Sequence, residues 1–280
     1  MTSRAIRRRA VNILFVAACA FATVVALGAL ALILWSLVSQ GISGLDTQVF
    51  TMTQPAPGSP GGLANAIMGS LMMCGIAMVI AVIVGVLAGT WLAEYGGDTP
   101  YGHAVRFLND VLLSAPSILI GLFVYELLVR PLHGFSGYAG AVALAFLATP
   151  IVTRTTEDIL RLQPSSLREA GMALGASHSF VIRRVIWRAA GAGLLTGVLL
   201  GFARISGETA PLLFTSLGNQ FFSLDMTQPM ASLPTTLFQF ALSAYDDWRR
   251  LAWVGALLIA GAVLFINIVG RLIARETHRP

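Results

Sequence analysis

Lysine is absent from this 280-residue chain, and all 18 of its basic residues are arginine. A nucleotide-binding P-loop depends on its lysine, so the chain by itself is excluded as a P-loop ATPase. Charge of either sign is scarce. Only 11% of residues are charged while 56% are hydrophobic, which excludes an ordinary soluble domain. Cysteine is limited to Cys19 and Cys74, both within apolar runs. That rules out a disulfide framework and leaves two small packing residues. The net charge of +5 is distributed as a topology signal, so a nucleic-acid partner is not expected.

Long apolar runs dominate. They cover 11–38, 63–93, 107–129, 138–152, 189–213 and 251–270, and most exceed the ~20 residues needed to cross the hydrocarbon. The run 138–152 reaches crossing length by taking in Thr153–Leu160. These runs predict an all-α membrane protein with six transmembrane helices, a single membrane domain over 11–280 behind a basic segment at 1–10. Arg4, Arg7, Arg8 and Arg9 resemble the start of a signal peptide, but the apolar run that follows is too long for one, so an uncleaved first span is expected. Of the 18 arginines, Arg130, Arg249 and Arg250 fall outside and Arg204 within a span; the other 14, including Arg271, Arg275 and Arg279 at the end, fall in or beside cytoplasmic segments. The positive-inside rule then places both termini in the cytoplasm. The loop 39–62, with Pro55, Pro57 and Pro60, is external and irregular.

One polar, basic island interrupts the pattern at 164–188. It opens with Pro164 and a capping-box pattern, Ser166 and Glu169. Leu167, Ala170, Gly171 and Leu174 recur at helical spacing. Gly175 is placed to end that helix in a left-handed cap and Ser177 to begin another, with Arg168, Arg183, Arg184 and Arg188 exposed. On physical grounds alone this is either a solvated connector or a docking element at the membrane surface.

The string Glu169-Ala170-Gly171-x3-Gly175 resembles the EAA motif of binding-protein-dependent ABC importers. The family pattern ends in a proline, where this chain has Arg188. The resemblance implies a cytoplasmic coupling helix that docks on a separate ATPase subunit. Further strings are similar to phosphate-importer permeases of the PstA and PstC type: GGLANAIMGSL at 61–71, LAEY at 92–95 with Glu94, and APSILIGLF at 115–123. RTTED at 154–158 and GFARISGETAPLLF at 201–214 favour the PstA type. What this resemblance implies is a MetI-like (type I importer) permease fold in a bacterial inner membrane, and inorganic phosphate as the substrate. It further implies a PstC-like second permease, an ATPase dimer and a phosphate-binding protein as partners, with lipid around the spans and no cofactor, metal or catalytic residue in this chain. Another oxyanion, or the PstC-type role, is the alternative.

Local features fill in the expected site. Pro116 should kink the third span, and Gly85-x3-Gly89 permits close helix approach in the second. Asn65 reads as a helix-start cap. In the fifth span Gly193, Gly197 and Gly201 leave one helix face bare, with Arg204 and Glu208 expected on that face. A charge at membrane depth is costly and marks function. Arg204, Glu208 and, near the cytoplasmic exit, Arg154 are therefore the expected substrate pathway; Glu169, Ala170, Gly171 and Gly175 are the expected ATPase contacts. An intramembrane enzyme is disfavoured, because no span carries a metal-binding pair or a nucleophile beside a base.

Overall fold

The computed structural model describes residues 3–276, which form helices and their connecting turns. Helix α1 (Ser3–Gly44) runs unbroken through the basic segment and the first apolar run. Among the described residues it meets the bundle near its end, where Gly41 lies against Leu257 and Gly44 against Val254. A short turn, α2 (Gln48–Thr51), sits in the loop before α3 (Ala64–Trp91), which finishes in a π-turn, Leu92–Gly96.

Helix α4 (Pro100–Ser114) is capped by Thr99, whose hydroxyl accepts from the Gly102 amide at 3.1 Å. It is followed by α5 (Ser117–Val124) and a second π-turn, Tyr125–Val129. The expected kink at Pro116 is in fact a break, with the two arms at 106°. Proline removes an amide donor and biases its predecessor away from helix. Ala115 and Pro116 both take extended ψ values, 134° and 130°, so the helix stops and restarts.

Helix α6 (Gly137–Arg161) is the buried centre, begun by Ser136, whose hydroxyl accepts from the Ala139 amide. Then come α7 (Ser165–Ala173), α8 (His178–Val181) with a third π-turn (Ile182–Ile186), and α9 (Trp187–Ala189). The stretch His178–Ala189 meets α10 (Gly191–Ile205) at 75°. After α11 (Ala210–Thr215), an irregular segment leads to α12 (Leu233–Ala241), which starts in a capping box formed by Ser232 and Thr235. Helix α13 (Asp246–Glu276) closes the bundle, with Arg249 paired to Asp246 in its first turn. Arg279, expected as a terminal anchor, lies outside the described residues.

Helices α1, α3, α6 and α13 are each long and apolar enough to cross a membrane, and the two bent pairs raise the number to six if each is one crossing. The packing is organised by two glycine stripes. A Cβ on Gly85 would come within 2.8 Å of Val152, and one on Gly89 within 2.5 Å of the Thr153 carbonyl. On the adjoining side of α6, with Val152 shared between the two stripes, Gly193, Gly197 and Gly201 face Ile159, Thr155 and Val152. Small residues let backbones approach closely, which is how helices gain packing where lipid removes the hydrophobic drive. One apolar cluster unites Met73, Ala77, Leu144, Ala148, Ile205 and Leu212 across α3, α6, α10 and α11.

Candidate functional site

Arg204 and Glu208 do form an ion pair, but not on one helix face. Helix α10 ends at Ile205, and Glu208 lies in the break before α11. The Gly-Glu-Thr-Ala-Pro string explains this: Pro211 enters the first turn of a new helix and cannot continue the old one. A second expectation also changes. The glycine face packs against α6, so it does not open on a cavity. The pair is asymmetric: the Glu208 side chain is 9% exposed and that of Arg204 is 47% exposed. A buried carboxylate thus steers a guanidinium that keeps donors free.

Arg154 is equally open. It lies between Asp110 of α4 at 3.7 Å and Asp158, one turn on, at 3.3 Å. Because Gly197 faces Thr155 and Gly201 faces Val152, Arg154 and Arg204 sit at different depths, separated by ~8 Å along the helix axis. Glu157, its neighbour in the RTTED string, does something else. Buried, it takes Arg106 at 2.7 Å and Arg161 at 2.9 Å. Arg106 also donates to the carbonyls of Gly97 and Leu92, tying α4 to the end of α3.

The 164–188 island is a helix, a turn and a second helical stretch, as its spacing indicates. The capping box is not formed: Pro164 holds the cap position of α7 and no side chain bonds there. Gly175 adopts φ +79°, with its amide donating to Met172 and that of Ala176 to Gly171. This is the left-handed cap, and a β-branched residue would be strained there. Glu169, Ala170 and Gly175 face outward with Met172, Leu174 and Phe180, whereas Gly171 packs inward on Val181. Arg183, Arg184 and Arg188 are exposed as expected.

Arg168 is the exception. It is only 18% exposed and clasps Glu94, itself 2% exposed, through Nε at 3.0 Å and Nη2 at 2.6 Å. It also donates to the carbonyls of Gln163 and Leu160. The hydrogen-bonded Glu94 carboxylate raises the Arg168 guanidinium above its usual range. Sequence periodicity carried no sign of this pair, whose members are 74 positions apart; the LAEY string was the only available signal. Asn65 is not the cap of α3, a position held by Leu63. Its amide reaches instead to the Asn219 carbonyl at 2.6 Å in the irregular segment before α12.

Residues 81–279 match the model of the binding-protein-dependent transport system inner membrane component family. The chain belongs to that family of permeases. A protein of Haemophilus influenzae, the phosphate transport system permease protein PstA, is 55% identical over 240 residues, covering 86% of this chain and 85% of its own. The protein of the same description from Xylella fastidiosa strain Temecula1 is 50% identical over 275 residues, covering 98% and 96%. Among solved structures, the inward-facing MetNI methionine ABC transporter aligns with a TM-score of 0.64 at 18% identity, covering 78% of this chain and 96% of that one. The permease therefore has the MetI-like fold, and among relatives it sits with PstA-type subunits rather than with the PstC-type alternative.

In this permease the exit from the 164–188 segment needs no proline at position 188. The 75° turn into α10 is made at Ala190, two residues later, just before Gly191.

Proposed function

We propose that this permease forms half of the path by which inorganic phosphate crosses the inner membrane, the other half being a PstC-like subunit. A phosphate-binding protein delivers the anion outside, and an ATPase dimer bound at the 164–188 segment supplies the energy; the chain contributes no ATPase site. Both termini are cytoplasmic. The single observation that carries this reading is the half-open Arg204 held by buried Glu208 at a helix break. A planar guanidinium with unused donors suits bidentate contact with a tetrahedral oxyanion. Glu208 orients Arg204 while the path is empty and limits how tightly the anion is held. Arg154, ~8 Å deeper toward the coupling segment, is the next cationic step, and its two carboxylate neighbours moderate it in the same way.

The ATPase reading is supported by what α7 leaves uncovered. Glu169, Ala170 and Gly175 lie beside exposed Met172, Leu174 and Phe180, an apolar group that suits a protein groove better than water. The experiment is uptake of radiolabelled phosphate by the purified complex in vesicles, with sulfate and molybdate as competitors. Phosphate uptake that neither competitor reduces supports the reading; preferential uptake of either one shifts it to the oxyanion alternative. For topology, Ser3→Cys should resist an impermeant thiol reagent in intact cells and Ser59→Cys should react, in a background lacking Cys19 and Cys74. Labelling at position 3 would overturn the orientation.

A further inference from the structure

The 164–188 segment is joined covalently to α6 and α10, but not to α3. Yet α3 packs along the length of α6 through Gly85 and Gly89, so any movement of the segment must either carry the end of α3 with it or slide past. Apolar contact resists sliding poorly, because it has no preferred direction. The apolar cluster here, Leu160, Val181, Ile186 and Ala190 with Ala93 beside them, would by itself permit slip. Directional bonds would not.

Those bonds exist, and all come from the last turns of α3. Thr90 accepts from the Trp187 indole at 3.1 Å. Tyr95 meets His178 edge to face, with ring centroids 5.2 Å apart. Glu94 takes Arg168 through both oxygens. The π-turn Leu92–Gly96 holds Glu94; such turns add a residue to the helix and often mark functional positions. The remaining donors of Arg168 go to the final carbonyls of α6 and the linker, Leu160 and Gln163. One guanidinium therefore fastens α3, α6 and α7 together at a point almost closed to water.

We propose that Glu94 is a positioning residue for transport, the joint through which movement of the coupling segment is passed to α3 and so to the membrane bundle. This rests on the reading that the ATPase docks on that segment. Glu94 touches neither nucleotide nor phosphate; it acts by making Arg168 move as one body with α3. The Glu94→Gln substitution keeps the shape and one acceptor but removes the charge. Arg168 retains its carbonyl partners Leu160, Gln163 and Pro164, so the complex should still assemble.

The test uses the whole complex, with its ATPase and binding protein, in vesicles. ATP hydrolysis and phosphate uptake are measured on the same preparation. For Glu94→Gln the ATPase should co-purify at the normal level and hydrolyse ATP, while phosphate moved per ATP falls about tenfold, an ordinary size for coupling between two sites. Glu94→Asp should restore part of that ratio. Trp187→Phe, which removes only the indole donor to Thr90, should lower the ratio less and serves if Glu94→Gln assembles poorly. An unchanged ratio in both Glu94→Gln and Trp187→Phe would overturn the joint, as would uptake and hydrolysis falling together in proportion. Failure of the docking reading looks different, since the ATPase would not co-purify with the unsubstituted permease or would do so equally with Gly175→Val.

Discussion

Two of the buried glutamates in this permease, Glu94 and Glu208, each hold a single arginine, and the two pairs are built in opposite ways. Glu94 and Arg168 are both enclosed, and Arg168 spends its remaining donors on fixed backbone carbonyls. Glu208 is enclosed but Arg204 is half open. A pair with every donor committed is a fastening; one with donors left over is a place where another anion can bind. The difference lies in the surroundings. Arg168 sits among helix ends whose last carbonyls accept its further donors, whereas Arg204 sits at the end of α10 with its side chain half exposed.

Removing each arginine in turn should separate the two pairs. Arg168→Ala leaves the buried Glu94 carboxylate with only His178 Nε2, at 3.8 Å, beside it, and losing one partner of such a pair costs up to about 3–5 kcal/mol. The yield of purified complex should fall steeply. Arg204→Lys should leave yield intact but lower phosphate uptake ~10- to 100-fold, since a point charge lacks the planar fork and a charged hydrogen bond is worth ~1.5–3 kcal/mol. If Arg168→Ala assembled normally, or Arg204→Lys did not, the roles would be exchanged.

Smaller effects sharpen the coupling side. Gly175→Val forces a β-branched residue to φ +79°, at a cost of ~1–2 kcal/mol. Membrane level should hold while ATPase co-purification and transport drop. Arg188→Pro removes one helical amide donor, but position 188 is exposed and lies in the last turn before the bend at Ala190, so transport should fall only slightly. Normal transport in Gly175→Val would take the cap out of the mechanism, and failed assembly in Arg188→Pro would make Arg188 a contact in its own right.

Much of the fold was legible because lipid imposes one rule: span with apolar helix. The long runs, the small-residue stripes and the glycine cap at 175 all follow from local residue chemistry. The breaks were harder. Pro116 signals a disturbance, but whether it kinks or severs the helix depends on what α5 then packs against, here Gly121 on Pro211. Glu208 could be placed on the Arg204 face only by assuming that α10 continues, and the Gly207 and Pro211 positions argued against that. The Glu94–Arg168 and Arg106–Glu157 pairs join residues 74 and 51 positions apart, so no helical period reaches them. Their partners become visible only once α3, α4 and α6 are packed.

On the proposed reading Arg204 works as an open anion site and not as half of a structural pair. The Arg204→Glu, Glu208→Arg double exchange tests it most directly, because it preserves the pair while moving the cation to the buried end of the break. The measurement is radiolabelled phosphate uptake by purified complex of verified composition. This account predicts a well-assembled complex with almost no uptake; near-normal uptake from the exchanged pair would contradict it.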